Sequence, residues 1–172
     1  MNKGLNKRFI AVLVVILVLL VAAVAVMIFL LSDESAEKSS QTSYGVMVRL
    51  LRLFIPGFDE KTPHEKHLLC NYYHPIVRKF AHGLEFMLLG TFLFLALHGL
   101  KVRKKYLASW LGGTFYAGTD ELHQMLVDGR GPMWQDVCID SGGVLLGILL
   151  GRALLALFRW IWPPQEEDTA QK

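Results

Sequence analysis

The chain has 172 residues, of which 53% are hydrophobic and 19% are charged, and its mean hydropathy is +0.38. Soluble domains contain about 25% charged residues and about 45–50% apolar ones, so an ordinary soluble domain is excluded. The net charge of +3 is small and dispersed, which argues against a nucleic-acid partner because such binding needs a basic face or stripe. The two cysteines have no metal-binding or redox spacing and predict neither chemistry.

Four apolar stretches are long enough to be membrane helices: 9–31, 76–100, 106–126 and 136–160. A helix needs roughly 17–25 residues to cross about 30 Å of hydrocarbon. The first stretch is longer than the apolar core of a signal peptide, about 7–15 residues, so we expect an uncleaved anchor. Glycines at every fourth position of the last stretch predict close helix packing: Gly143, Gly147 and Gly151. The sequence therefore predicts an all-α fold, an integral membrane four-helix bundle.

Basic residues set the predicted orientation. They precede the first stretch and fill the connector 101–105 without any acidic residue: Lys3, Lys7, Arg8, Lys101, Arg103, Lys104 and Lys105. Because short cytoplasmic loops retain Lys and Arg, both regions are predicted to be cytoplasmic. Four crossings then place the N-terminus and the C-terminus in the cytoplasm, and residues 32–75 and the loop 127–135 on the outer side. The predicted location is the cell membrane, with several spans.

This topology divides the chain into four parts: the N-terminal stub and anchor (1–31), an outer segment (32–75), a core of three membrane helices (76–160) and a cytoplasmic tail (161–172). Apolar residues recur at helical spacing over 44–58 of the outer segment, before the pair Pro56-Gly57, and predict an additional amphipathic helix. This helix lies on the outer membrane surface or caps the bundle, since either arrangement hides the same apolar stripe.

The predicted core helices carry unusually many polar side chains. Each ionisable one costs about 2.5–3.5 kcal/mol to insert at the centre of a membrane helix and is a functional hypothesis by default. All of them fall in the outer part of the three helices or in the turn 129–132, so we expect them to form one pocket open to the outer side. The predicted site comprises Lys79, His82, Glu85, Asp120, Glu121, His123, Gln124, Arg130, Asp136 and Asp140.

Three interpretations of this pocket remain open. Arg78, Lys79 and Arg130 would neutralise the carboxylates in an ion-pair scaffold, or the cations would bind an anionic headgroup or ligand. The third interpretation is a metal or hydrolytic site, because His82 with Glu85 and Asp120 with His123 have the spacing of bundle metal sites. A catalytic metal needs three well-placed ligands, so no cofactor is predicted and a divalent metal is the least favoured choice. The sequence does not decide whether the protein is an enzyme.

Two blocks of residues resemble those of VanZ-like membrane proteins. Residues 78–86 and 88–90 resemble the first block, and residues 120–124, 129–130 and 136–143 resemble the second. The family takes its name from a resistance factor to the glycopeptide antibiotic teicoplanin. The resemblance therefore implies a cell-envelope function whose partners are membrane lipids and a lipid-linked cell-wall precursor or a glycopeptide. The alternatives are a membrane-embedded enzyme acting on a lipid headgroup and a small-solute carrier.

Overall fold

The structure is a computed structural model that describes the backbone of residues 3–34, 36–127, 131 and 133–163, and their side chains outside 3–6 and 36–43. The helices are α1 (Lys3–Ser32), α2 (Ala36–Phe54), α3 (Pro63–Gly99), α4 (Lys105–Gln124) and α5 (Trp134–Ile161). A short 3-10 helix, Phe58–Glu60, lies between α2 and α3. No strand occurs in this described part of the chain, so the all-α prediction is confirmed there.

Three helical segments are long and apolar enough to cross a membrane: Lys7–Ser32 of α1, the whole of α3 and the whole of α5. They correspond to three of the four predicted spans. The fourth, α4, has 20 residues, which at 1.5 Å per residue is about 30 Å and long enough to cross. Its sequence is more polar than that of the other three, so it does not meet the same standard of apolarity. A crossing by α4 stays a prediction.

Two helix boundaries differ from those expected. α2 begins at Ala36, not at residue 44, and ends at Phe54 before Gly57 adopts a positive φ of 69°. α3 begins at Pro63, because Thr62 and Glu65 form a reciprocal capping box and proline suits the first helical turn. The expected boundary at residue 76 therefore falls inside a continuous helix. Its 37 residues measure about 55 Å, so α3 extends beyond the hydrocarbon thickness.

The amphipathic helix α2 packs against the first turns of α3. A small core of Met47, Leu51, Phe58 and Cys70 is buried between them, and the neighbouring Cys70 thiol, through a hydrogen bond, raises the pKa of the Tyr44 phenol. Beyond this core, Leu53 and Phe54 are 75% and 74% exposed. The buried stripe of α2 thus covers α3, while other apolar side chains remain on its surface. Contact of that surface with the membrane stays a prediction.

The centre of the bundle is a close backbone contact between the parallel helices α3 and α5. A Cβ atom added at Gly143 would meet the carbonyl oxygen of Gly83, and one added at Gly147 would meet that of Met87. Thr91 strengthens the contact by donating a 3.0 Å hydrogen bond to the carbonyl oxygen of Gly147. The glycine repeat therefore lies at a helix interface, as the sequence predicts. α1 and α4 pack beside this pair and share its apolar core.

We expect Gly147→Ala to destabilise the protein, because its methyl group would push α5 away from the α3 backbone. Overpacking a close contact costs about 1–3 kcal/mol, so the thermal unfolding midpoint in detergent should fall by several degrees. Gly142→Ala is the matched control, since no atom lies within 4 Å of its added Cβ, and it should leave the midpoint nearly unchanged. Equal shifts for the two variants would contradict this packing.

Candidate functional site

The polar residues predicted from the sequence lie toward one end of the bundle, where α1 and α4 finish and α5 begins. Ser32, the last residue of α1, donates a 2.9 Å hydrogen bond to Asp120 of α4. Lys79 of α3 contacts Asp136, in the first turn of α5, at 2.6 Å. At the opposite end, the rings of Phe94 and Tyr106 lie 5.0 Å apart beside the basic connector. The polar end and the basic end are therefore separated by the length of the bundle.

Asp120 connects α4 to α1 in a buried hydrogen-bond cluster. The residue is only 4% exposed, and its Oδ2 atom accepts bonds of 2.9 Å from the Ser32 hydroxyl and 2.9 Å from the Gln124 amide. Its Oδ1 atom is buried and has no hydrogen-bond partner in the part of the chain that the structure describes. Sequence reasoning missed Ser32, which was assigned to the outer segment. The sequence did contain a signal for Ser32: it is a polar residue at the end of an apolar run, at the membrane depth expected for Asp120.

An ion pair joins α3 to α5, and two further carboxylates, Glu85 and Asp140, lie on the same two helices. Lys79 Nζ and Asp136 Oδ1 form an ion pair in which the side chains are 32% and 26% exposed. His82 Nδ1 lies 3.9 Å from Glu85 Oε2, which is too far for a hydrogen bond. Glu85 Oε2 is buried and has no hydrogen-bond partner among the described side chains and backbone. Asp140 is 4% exposed, and its Oδ1 atom likewise has no hydrogen-bond partner within the described part of the chain.

Two predicted residues point away from this group. His123 stacks on the ring of Phe29 at 4.4 Å, and its Nε2 lies 3.4 Å from Asp33 Oδ1. Glu121 accepts a hydrogen bond from the backbone N–H of Met133, just before α5. Both side chains thus bind neighbouring elements, and Asp33 is a second partner that sequence reasoning missed. Arg130 and most of its turn lie outside the described residues.

A cleft between α3 and α5 brings together five of the predicted residues. The cleft is partly open to the surface, contains about 20 Å³ of free volume and is lined by Arg78, Lys79, His82, Gln124, Asp136, Ile139 and Asp140. Cations line its α3 wall and carboxylates line its α5 wall. The predicted residues Glu85, Asp120, Glu121 and His123 do not line it. Arg78 was expected as a cation of the pocket but was not among the ten predicted site residues, and Ile139 was missed. Both lie one residue from predicted members.

The four candidate metal ligands are not gathered into one ligand set. His82 and Glu85 lie on α3, Asp120 is bonded to Ser32 and Gln124, and His123 stacks on Phe29. Within the described ranges, no three histidine, cysteine or acidic side chains are grouped so that they could hold a metal ion. The described donors do not fit a catalytic metal, which needs three ligands and an open position.

Fold and site together define an all-helical membrane protein with a charged cleft between its two most closely packed spans. The chain belongs to the VanZ/LLP1 family, whose model matches residues 14–158. The match extends from α1 to the last turn of α5 and includes every predicted site residue, so the resemblance drawn from two blocks is confirmed. No curated protein and no solved structure matches the chain.

We expect Lys79 and Asp136 to be energetically coupled. Lys79→Met and Asp136→Asn should each lower the free energy of unfolding in detergent, and the double variant should cost less than their sum. Groups in contact show coupling of about 0.5–3 kcal/mol in such cycles, whereas distant ones add within about 0.3–0.5 kcal/mol.

Arg52 and Asp59 provide the matched control, because this pair is 2.9 Å apart but its side chains are 56% and 67% exposed. Water screens an exposed pair, so its coupling should be the smaller of the two. Additive effects of Lys79→Met and Asp136→Asn would show that the α3–α5 ion pair is not a stabilising contact.

Proposed function

We propose that this protein binds the polar headgroup of a membrane lipid in the cleft between α3 and α5. The observation that carries the proposal is the composition of the cleft, in which Arg78, Lys79 and His82 face Asp136 and Asp140. Charged groups inside membrane helices are expensive and mark binding sites or transport pathways. A headgroup supplies the charged and hydrogen-bonding partners that such a cleft requires.

The surroundings of the cleft suit a lipid better than a soluble molecule. Ile139 lines the cleft itself, and apolar side chains of the same helix turns face outward: Phe80 is 67% exposed, Leu84 41% and Trp134 75%. On a membrane helix such residues contact acyl chains. A lipid could thus place its headgroup among the charges and keep its chains in hydrocarbon.

The orientation that we propose places this cleft in the outer part of the membrane. With α4 as a fourth crossing, the basic connector 101–105 is cytoplasmic by the positive-inside rule, and so are both termini. The polar end of the bundle then faces outward. Lipid-linked cell-wall precursors and glycopeptides such as teicoplanin meet at that face, and they are the candidate ligands that the family resemblance implies.

A small-solute carrier is the second candidate. It is favoured by Glu85 and Asp120, each of which has a buried carboxylate oxygen with no hydrogen-bond partner in the described ranges. Intramembrane carboxylates of this kind serve as ion and proton relays in transporters. A carrier would give flux across the wall of vesicles that contain the purified protein, whereas a binding protein would give none.

The proposed orientation is tested with reporter fusions. Alkaline phosphatase is active only outside the cytoplasm, so a fusion after Ser43 should be active and a fusion after Lys104 inactive. A fusion after Gly131 should also be active, because four crossings place that loop outside. The opposite pattern would place the cleft in the cytoplasmic half of the membrane.

Lipid binding is tested by native mass spectrometry of the full-length protein released from gentle detergent. We expect one or more lipid molecules to stay bound and the double variant Arg78→Ala/Lys79→Ala to retain about tenfold less, the loss expected when charge-assisted hydrogen bonds are removed. Arg49→Ala/Arg52→Ala on α2 is the matched control and should retain the wild-type amount. Equal retention by both double variants would overturn the cleft as the binding site.

A further inference from the structure

Two carboxylates of α5 line the cleft, Asp136 and Asp140, and in the described part of the chain only Asp136 forms an ion pair with α3. Lys79 and Asp136 join the two walls at 2.6 Å. Asp140 follows Asp136 by one helical turn and so lies on the same face of α5. It is 4% exposed and lines the cleft, and its Oδ1 atom has no hydrogen-bond partner among the described residues. Asp140 therefore presents an unused acceptor to whatever enters the cleft.

The charge around Asp140 is also one-sided. Four other carboxylates lie close enough to act on it electrostatically: Asp120, Asp136, Glu121 and Glu85. Among the described residues that line the cleft, Arg78 and Lys79 are the side chains of fixed positive charge, and Lys79 is already paired. A buried carboxylate needs a cationic or hydrogen-bonding partner to offset its desolvation. A ligand with only negative charge would add to this excess.

From this arrangement we infer that the cleft recognises a zwitterionic lipid headgroup, which carries a phosphate and a primary ammonium group. The ammonium donates hydrogen bonds to Asp140, since it has three N–H donors and the carboxylate only accepts. The phosphate is bound by the guanidinium of Arg78, whose planar donors match phosphate oxygens in pairs. The inference rests on the proposed function, because it names the class of headgroup held in the same cleft.

The inference distinguishes two kinds of lipid of equal size. A phosphoethanolamine headgroup offers Asp140 a positively charged ammonium donor, whereas a phosphoglycerol headgroup offers it only neutral hydroxyl donors. A charged donor attracts the carboxylate electrostatically in addition to its hydrogen bond, and a neutral hydroxyl does not. Discrimination between these two lipids should therefore depend on the charge of Asp140.

The test uses the full-length protein in detergent and two fluorescent lipids that share their acyl chains but carry phosphoethanolamine or phosphoglycerol. We expect the phosphoethanolamine lipid to bind about tenfold more tightly. Water-soluble glycerophosphoethanolamine is the competitor that separates a lipid from a free phosphate compound. It should compete only at concentrations about a hundredfold higher, because it brings no apolar chains. Competition at equal concentration would overturn a lipid as the ligand.

The variant Asp140→Asn removes the charge with almost no change of shape. It should bring the ratio of the two affinities close to one without weakening the phosphoglycerol lipid. Asp33→Asn is the matched control, because Asp33 lies at the same end of the bundle but does not line the cleft, and it should keep the wild-type ratio. Thermal unfolding checks that both variants are folded.

Two results would overturn the inference: equal affinity of the wild-type protein for both lipids, or an unchanged ratio in Asp140→Asn. The wild-type comparison decides alone if Asp140→Asn does not fold. Failure of the proposed function gives a different result, since neither lipid would then bind to the wild-type protein. Binding of both lipids with equal affinity would overturn only the inference that the cleft prefers a zwitterionic headgroup.

Discussion

The site depends on the backbone contact between α3 and α5. Gly143 and Gly147 lie against Gly83 and Met87 at a distance that no side chain would allow, so these two helices pack in one register. Four residues before Gly83, the same α3 face carries Lys79, which meets Asp136 near the start of α5. In hydrocarbon no general hydrophobic force holds helices together, and small residues are what lets their backbones approach. The cleft lies just beyond these glycines and is lined by larger polar side chains of the same helices, Lys79 and His82 of α3 and Asp136 and Asp140 of α5.

The polar side chains at this end of the bundle serve two different purposes. Ser32, Asp120 and Gln124 bind one another and join α1 to α4, while Glu121 bonds to the backbone before α5. The hydrogen bonds of these groups join helices to one another. Asp140 lines the cleft, and one of its oxygens has no hydrogen-bond partner among the described residues. A well-packed apolar residue at a buried position is often as stabilising as a charged one or more so, and the proposed ligand would give this carboxylate a role other than stability.

Hydropathy and helical spacing were sufficient to predict the all-α fold and the apolar spans of α1, α3 and α5, and the resemblance of two blocks of residues predicted the family. They did not predict the first turns of α3, because hydropathy does not distinguish a polar helix from a polar loop and the start depends on the capping box of Thr62 and Glu65. Spacing places residues on a helix face but does not say which neighbour that face meets. For this reason His123, which stacks on Phe29 of α1, was grouped with His82. The same limit hid Ser32 and Asp33, whose partners are 88 and 90 positions away in the chain.

The polarity of α4 is compatible with a membrane crossing because of where its polar atoms lie. The indole N–H of Trp110 and the hydroxyl of Thr114 bond to Ser141 of α5 at 3.0 and 2.8 Å, and the Tyr116 hydroxyl bonds to the Ala25 carbonyl of α1. Apolar side chains cover the outer surface of the helix: Leu107, Leu111, Phe115 and Leu122. A membrane helix must satisfy its polar groups inside the protein and present apolar ones to lipid. The hydropathy averaged over the sequence of α4 combines these two faces, so it understates how apolar the outer face is. The separation of the two faces supports the proposal that α4 crosses the membrane.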